Sequence, residues 1–418
     1  MIKRRLAGTV AIGASALLAL TACGSSSSGS GSSGQTTLTM VVPDYGTGPA
    51  NTTAKYWQAI ITAFEKQNPK IKVTFQIYNW DIIDSKVQTM LQNKQYPDII
   101  EGESPLEFAQ DGIAYPASKV LSASTYNNML KLFMTADSYK GTAYGMPFTT
   151  SSRTLFYNKQ LFAKAGIATP PTTWAELKTD AAKIKQKTGK IGFGLPLGSE
   201  EAEAESLLWF LGNGGGYLNS SGKYDINSPQ NIQTFQFLNS LVKAGDTEPG
   251  PGTQDRTPLW EQFAAGQVGM INGSPALIPI IQAAGKLTSS DWASTDIAGK
   301  NGPLSSTLAV ADSIVALNTQ GHASQIKQFL DFVYQDKYQV QFDKEYDLLP
   351  ATTSAINALS SDATFAPFLK RLPSGTLYPS TANWQQVDDD IKTTIGSAIG
   401  GNPASVLGAL QQKATSTS

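Results

Sequence analysis

Ala143-Tyr-Gly-Met-Pro-Phe-Thr-Thr-Ser-Ser-Arg-Thr-Leu-Phe-Tyr-Asn158 decides how the rest of the chain is read. Gly141 and Gly145 permit turn conformations that residues with side chains avoid. Pro147 fixes an extended entry and offers no N–H to a neighbouring strand. Small hydroxyl residues fill Thr149 to Ser152 as a polar lead-in, and Thr154, Leu155, Phe156 and Tyr157 then read as a short strand ending at Asn158. An α/β unit precedes this stretch and a fresh one starts at Leu161. It therefore reads as the first passage of the chain from one lobe to a second, with a cleft beside it.

Upstream, Thr36 to Val42 alternates as a strand that ends at Pro43-Asp44-Tyr45-Gly46. Lys55 to Asn68 is a helix, with Trp57, Ile60, Ile61 and Phe64 on one face, and Pro69 stops it. Ile71, Val73, Phe75 and Ile77 alternate as a second strand ending at Tyr78-Asn79-Trp80. A helix over Asp84 to Asn93 and a short strand at Tyr96 to Ile100 follow. Ser104-Pro105-Leu106-Glu107 is a capping box with proline at the first helical position. Strand, helix, strand, helix, strand implies a parallel sheet with right-handed crossovers, and ligands in such sheets sit beyond the strands' carboxyl ends.

Downstream, Thr173-Trp-Ala-Glu176 is another capping box, opening a helix that runs to Lys187 before Gly189. Ile191 to Gly194 reads as a strand and Glu200 to Leu211 as a helix. Ser228-Pro229 caps a helix through Val242 that Gly245 ends. Thr257-Pro258 starts one carrying Trp260 and Phe263, and Val268 to Ile271 is a strand leading into Asn272-Gly273-Ser274. Thr307 to Leu317 looks like a strand pair interrupted at Ala311-Asp312-Ser313. A helix with Ile326, Phe329, Leu330 and Val333 on one face follows. Leu348-Leu349-Pro350-Ala351 marks a break before a helical tail that includes Trp384. No internal repeat is visible.

The N-terminus is a targeting segment. Lys3, Arg4 and Arg5 precede an apolar Leu6 to Leu20 that is short for a bilayer span, and Leu20-Thr21-Ala22-Cys23 resembles a lipobox. Cys23 is the only cysteine and falls at the cleavage position, so it is expected to carry lipid. The Ser/Gly tract from Gly24 to Gly34 cannot bury a core and reads as a tether. Residues 1–22 would be the signal peptide and 23–35 the lipidated cysteine with its tether. What remains is about 400 residues, enough for two cores. Charged residues are only 16%, with no basic cluster outside the signal, which argues against nucleic-acid binding.

Several stretches together are similar to the extracellular solute-binding proteins of sugar-importing ABC transporters, of the maltose-binding-protein kind. They are Phe64-Glu-Lys-Gln-Asn-Pro69, Tyr96-Pro97-Asp98, Ala143 to Pro147, Tyr157-Asn158, Gln160 to Gly166, Pro170 to Leu177, Phe263 to Gly273 and Leu348 to Ala351, in that order over nearly the whole mature chain. The resemblance implies an α/β, two-lobed periplasmic-binding-protein-like fold of class II, crossed three times by the chain, with a ligand cleft between the lobes. Lobe one would be 36–147 plus 303–345 and lobe two 148–302 plus 346–418. It also implies a monomer that is no enzyme, sits on the outer face of the cytoplasmic membrane, captures a carbohydrate and delivers it to a permease. The chain departs from the pattern at Ser274-Pro275-Ala276, where that family often places a sugar-stacking tryptophan.

A sugar needs planar donors and acceptors for its hydroxyls and an aromatic face for its C–H surface. Tyr45, Trp80, Glu103, Asp312 and Ser274 lie at strand ends, and Ser151 and Arg153 lie on the crossing. Trp209 and Trp260 lie on second-lobe helices and Tyr346 near the third crossing. Trp57, Trp174 and Trp384 read as core. A pair such as Glu103 and Asp312 facing across the cleft is the basis of the alternative, a glycoside-acting enzyme; a non-sugar solute is the other. His322 reads as a solvated loop residue, and no metal or cofactor is expected.

Overall fold

The computed structural model describes residues 34–46, 51–102, 106–381 and 383–416. Among the described residues, twelve strands form two larger sheets and a small hairpin. The first sheet takes β1 (Thr36–Pro43), β2 (Ile71–Tyr78), β3 (Ile99–Gly102), β6 (Gly145–Ser152), β11 (Ala309–Ala316) and β12 (Leu349–Pro350), in the order β12-β6-β11-β3-β1-β2. The hairpin is β4 (Ser138–Tyr139) with β5 (Thr142–Ala143). The second sheet takes β7 (Thr154–Asn158), β8 (Ile191–Gly194), β9 (Val268–Gly273) and β10 (Trp292–Thr295), in the order β10-β7-β9-β8.

β1, β2 and β3 are parallel, with Met40 opposite both Phe75 and Ile99. β11 runs antiparallel between β3 and β6. A parallel neighbour needs a helical crossover, and the helices Thr53–Gln67 and Trp80–Gln92 supply two. The first buries the face read from its spacing, Trp57, Ile60, Ile61 and Phe64, together with Tyr56. Trp57 lies flat on Phe148 of β6, ring centroids 5.4 Å apart, so this helix is riveted to the strand that leads to the crossing. Truncating so buried an aromatic costs about 3–5 kcal/mol.

The second lobe is organised by its helix ends. Thr173 and Glu176 make both bonds of the capping box, Glu176 N–H to Thr173 Oγ1 at 3.2 Å and Thr173 N–H to Glu176 Oε2 at 3.0 Å. The helix Trp174–Thr188 then closes on Gly189, at φ 69° in the left-handed region where glycine carries no Cβ penalty. Ser228 caps Pro229–Ala244, which closes on Gly245 in the same way. The tail returns to this lobe: Val387, Ile391, Leu407 and Leu410 join its largest apolar cluster. Among the described residues no helix is long and apolar enough to cross a membrane.

Three segments differ from the sequence reading. The hydroxyl run is not a lead-in but the end of β6, because Thr149, Thr150 and Ser152 are buried and their hydroxyls donate to the carbonyls of Leu349, Pro350 and Phe368. The change of sheet therefore falls at Arg153, beyond Pro147. Trp80 does not end β2; it opens the helix Trp80–Gln92, since the N–H groups of Ile82 and Ile83 turn back to the Asn79 carbonyl. Between Thr307 and Leu317 lies one strand, β11, and not two, its pairing with β6 slipping between Asp312 and Ser313.

Candidate functional site

One wall of the site hangs from the first sheet. Tyr45 follows β1, and its hydroxyl lies 2.7 Å from Glu101 Oε1 and 2.9 Å from Asp312 Oδ2. A phenol has one proton and can donate to one carboxylate at a time, so the second contact calls for a proton on a carboxyl group. Glu101 is the group suited to hold it. Burial drives its pKa well above the usual carboxylate range, the Tyr45 bond pulls the other way, and the Asp312 charge adds to the rise. Its Oε2 is buried without a hydrogen-bond partner. Around Tyr45 stand Trp80, edge-on at 5.5 Å, Phe342 at 5.1 Å and Tyr346 at 5.9 Å.

The crossing forms the floor. Arg153 is 8% exposed and donates to Ser151 Oγ at 3.1 Å and to Glu201 Oε1 at 2.5 Å. The other oxygen of Glu201 takes Arg256 Nη1 at 2.6 Å, and Arg256 Nη2 reaches Glu200 at 2.8 Å. Burial pushes the Glu201 carboxyl up, but the two guanidinium groups outweigh it and hold the group below its ordinary value.

The opposite wall starts where the helix Ala202–Leu211 begins. Glu203 and Glu205 sit in its first turn and both are buried. Burial, helped by the neighbouring Glu201, pushes Glu203 up to about 8. Glu205 rises to about 8 through burial, although Trp209 Nε1 donates to it at 2.7 Å and Asn272 Nδ2 at 3.0 Å. Tyr378 donates to Glu203 Oε1 at 3.2 Å, and its ring stacks on Trp384 with centroids 5.6 Å apart and planes 25° from parallel. Tyr378 and Trp384 are half-buried.

The two walls meet. Val310, the cross-strand partner of Ser151 and two positions from Asp312, packs on the apolar cluster that also takes Tyr378 and Trp384. A cavity of about 230 Å³ lies between the walls, lined by Asp84, Gln88, Glu101 and Ser313 on one side and Gln385, next to Trp384, on the other. A larger one, about 720 Å³, runs past Tyr378 between Leu132 and Thr135 of the first lobe and Leu207 and Leu211 of the second.

Of the residues singled out in the sequence, Tyr45, Trp80, Asp312 and Tyr346 come together on one wall, and Ser151 and Arg153 lie beside them on the floor. Tyr346 is buried behind Tyr45 and supports it. Trp209 and Trp260 are each 2% exposed, in core clusters. Trp209 lies among Trp174, Phe193 and Phe237, and Trp260 donates Nε1 to the Asn272 carbonyl under the Arg256 guanidinium. These two serve the second-lobe interior and not the cleft. Ser274 is buried just beyond β9, its carbonyl accepting the Leu277 N–H. Glu103 and Cys23 lie outside the described residues. Residues on these walls that the sequence reading does not place there are Glu201, Glu203 and Tyr378, together with Trp384, which reads as core in the sequence and packs half-buried on the second-lobe cluster. A signal was there, in three glutamates at alternate positions opening an otherwise apolar helix.

The model of one family, described as bacterial extracellular solute-binding protein, matches residues 59–367. A binding protein of Brucella abortus is 29% identical over 364 residues, covering 85% of this chain and 88% of its own. The diacetylchitobiose binding protein DasA of Streptomyces coelicolor is 25% identical over 423 residues, covering 96% and 95%. The solved structure of the sugar-binding protein MalE from Xanthomonas citri superposes with a TM-score of 0.78 at 21% identity, over 91% of this chain and 97% of that one, and so shares the two-lobed fold. The pairing of two α/β lobes around a polar, aromatic-walled cleft is thus accounted for: the chain belongs to the bacterial extracellular solute-binding protein family.

Proposed function

We propose that this protein captures a carbohydrate between its lobes and passes it to the permease of an ABC importer, held at the outer membrane face by lipid on Cys23. One observation carries the ligand class: each wall pairs aromatic groups with a buried carboxyl, Tyr45 and Trp80 with Glu101, beside the half-buried Asp312, on one side, Tyr378 and Trp384 with Glu203 on the other. Ring faces meet the apolar side of a sugar while carboxyl oxygens take its hydroxyls. The binding of diacetylchitobiose by one relative and of sugars by the Xanthomonas protein supports the same class.

Capture proceeds by closure. A ligand bonded to both walls favours the closed arrangement by the difference of its affinities for the two states. Micromolar binding, about −8 kcal/mol, is within reach of two stacked rings and a satisfied polar set. The test is a thermal melt of the mature protein against a panel of oligosaccharides, with chromatography of the sugar afterwards. At a hundredfold excess over Kd a ligand adds about 2.7 kcal/mol of stability, which a melt resolves. Stabilisation with the sugar intact is expected; released product would favour the glycoside-acting alternative. For the anchor, Cys23→Ser should move the protein from the membrane fraction to the medium, and retention would refute lipidation.

A further inference from the structure

We infer that the cleft selects sugars without negative charge and turns away phosphorylated and acidic ones, an inference that rests on the carbohydrate reading above. The arginines and the second-lobe lysine around the site are already engaged, while Lys131, at the first-lobe edge of the larger cavity, is exposed to water. Arg153 is held by Glu201, Arg256 by Glu200 and Glu201, and Lys392 by Asp388 at 2.7 Å. A phosphate or carboxylate is normally taken by an arginine fork or by a helix N-terminus. Here both forks close on glutamate. The helix N-terminus nearest the floor, that of Ala202–Leu211, has Glu201 at its N-cap position, and this carboxylate, held ionised by the two arginines, already meets the positive end of the helix dipole.

What the walls leave unused is acceptor and carboxyl capacity. Glu101 is fully buried and Glu203 is 4% exposed, and in each one oxygen, Oε2, has no hydrogen-bond partner. Glu101 lines the interlobe cavity that Gln385 closes from the other side. A buried carboxyl oxygen without a partner costs free energy. A hydroxyl or amide N–H reaching it would remove that cost, whereas an anion would add repulsion from Asp312 and Glu201 in a site shielded from water. Of the two, Glu101 borders the interlobe cavity, so an uncharged ligand presenting a hydroxyl there satisfies its Oε2 when the lobes close.

The test compares matched ligands on the mature wild-type protein at pH 7 by calorimetry. One set is neutral: maltotriose, cellobiose, raffinose and N,N′-diacetylchitobiose. The second is anionic: sn-glycerol 3-phosphate, glucose 6-phosphate and digalacturonate, with the C6-carboxylate form of whichever neutral sugar binds. The methyl ester of that carboxylate completes the series. Binding is expected in the neutral set, with the carboxylate form at least tenfold weaker, about 1.4 kcal/mol, and the methyl ester restored to within a few-fold. An anionic ligand that binds as well as or better than every neutral one overturns the charge selection and leaves carbohydrate capture standing. A methyl ester rejected as strongly as the acid shows that size and not charge decides, and also overturns it. No binding in any set overturns the carbohydrate reading and this inference with it.

Discussion

Removing the Glu201 side chain should cost far more than removing Arg153, although the two are partners. In Glu201→Leu, Arg256 keeps Glu200 at 2.8 Å and the Trp260 face at 4.6 Å. Arg153 is left with the Ser151 hydroxyl, and it is 8% exposed. A buried charge deprived of its partner costs about 3–5 kcal/mol. In Arg153→Met the roles reverse, because Glu201 retains Arg256 at 2.6 Å and has 17% of its side chain in water. That change should cost about 1–3 kcal/mol, the value of one charge-assisted bond. With both changes made, the stranded guanidinium is gone, so Arg153→Met should recover about 2 kcal/mol in the Glu201→Leu background. Urea unfolding followed by fluorescence and by circular dichroism gives all four values, provided the transitions coincide and the slopes agree. Additive losses, or a larger loss from Arg153→Met, would refute the arrangement in which Glu201 joins two arginines.

Tryptophan positions should separate by role. Trp209→Ala removes a core ring and should lower stability by about 3–5 kcal/mol, while Trp384→Ala should leave the melting point of the empty protein nearly unchanged and weaken ligand by about 1 kcal/mol or more; the reverse pattern would send Trp384 to the core. Trp80→Ala should do some of each, since its edge meets Tyr45 while its body packs on the cluster of Val41, Ile83 and Phe108, and a mutant that changes affinity alone would refute the packing role. Stability should fall as pH rises from about 5 to about 9. Glu203 and Glu205 hold protons to about 8 and Glu248 to about 7; the unfolded chain has by then released them, so each group contributes up to about 1.4 kcal/mol of loss per pH unit across that window. Below about pH 4.5 the opposite sign applies to Glu201 and Asp296, whose carboxyls are held low by arginine partners and lose that stability on protonation. A melting point that is flat or rising between pH 5.5 and 8.5 would contradict the buried protonated state.

Local signals in the sequence carried well where the deciding partner was close along the chain. The helix Thr53–Gln67 showed its buried face in a spacing of three and four, and Thr173 with Glu176 marked a start confirmed by both hydrogen bonds. Where the partner is remote the signal was silent. Thr149 and Thr150 look like loop residues because the carbonyls they bond lie about two hundred positions away, on β12. Nothing in the neighbourhood of Tyr378 or Trp384 announces that they stack on each other beside Glu203. The same holds for Glu101, whose pKa is raised first by its burial and then by Asp312 from a strand far downstream.

That remoteness follows from how such a cleft is made. For capture by closure, as proposed, each wall must be rigid alone and the two faces must close on each other only when a ligand joins them, so the residues of one wall come from separate strands and the walls come from separate sheets. Arg153 stands at the change from β6 to β7, bonded to Ser151 on one side and to Glu201 of the second lobe on the other. A charge pair at this point fixes the floor without bridging the two aromatic faces, which leaves closure to be settled by what binds between them. An ion pair placed higher, directly between the walls, would hold them together without ligand and remove the difference in affinity that drives closure. The buried positive charge is therefore best placed at the hinge line, and the carboxyls with spare oxygens are best placed on the faces.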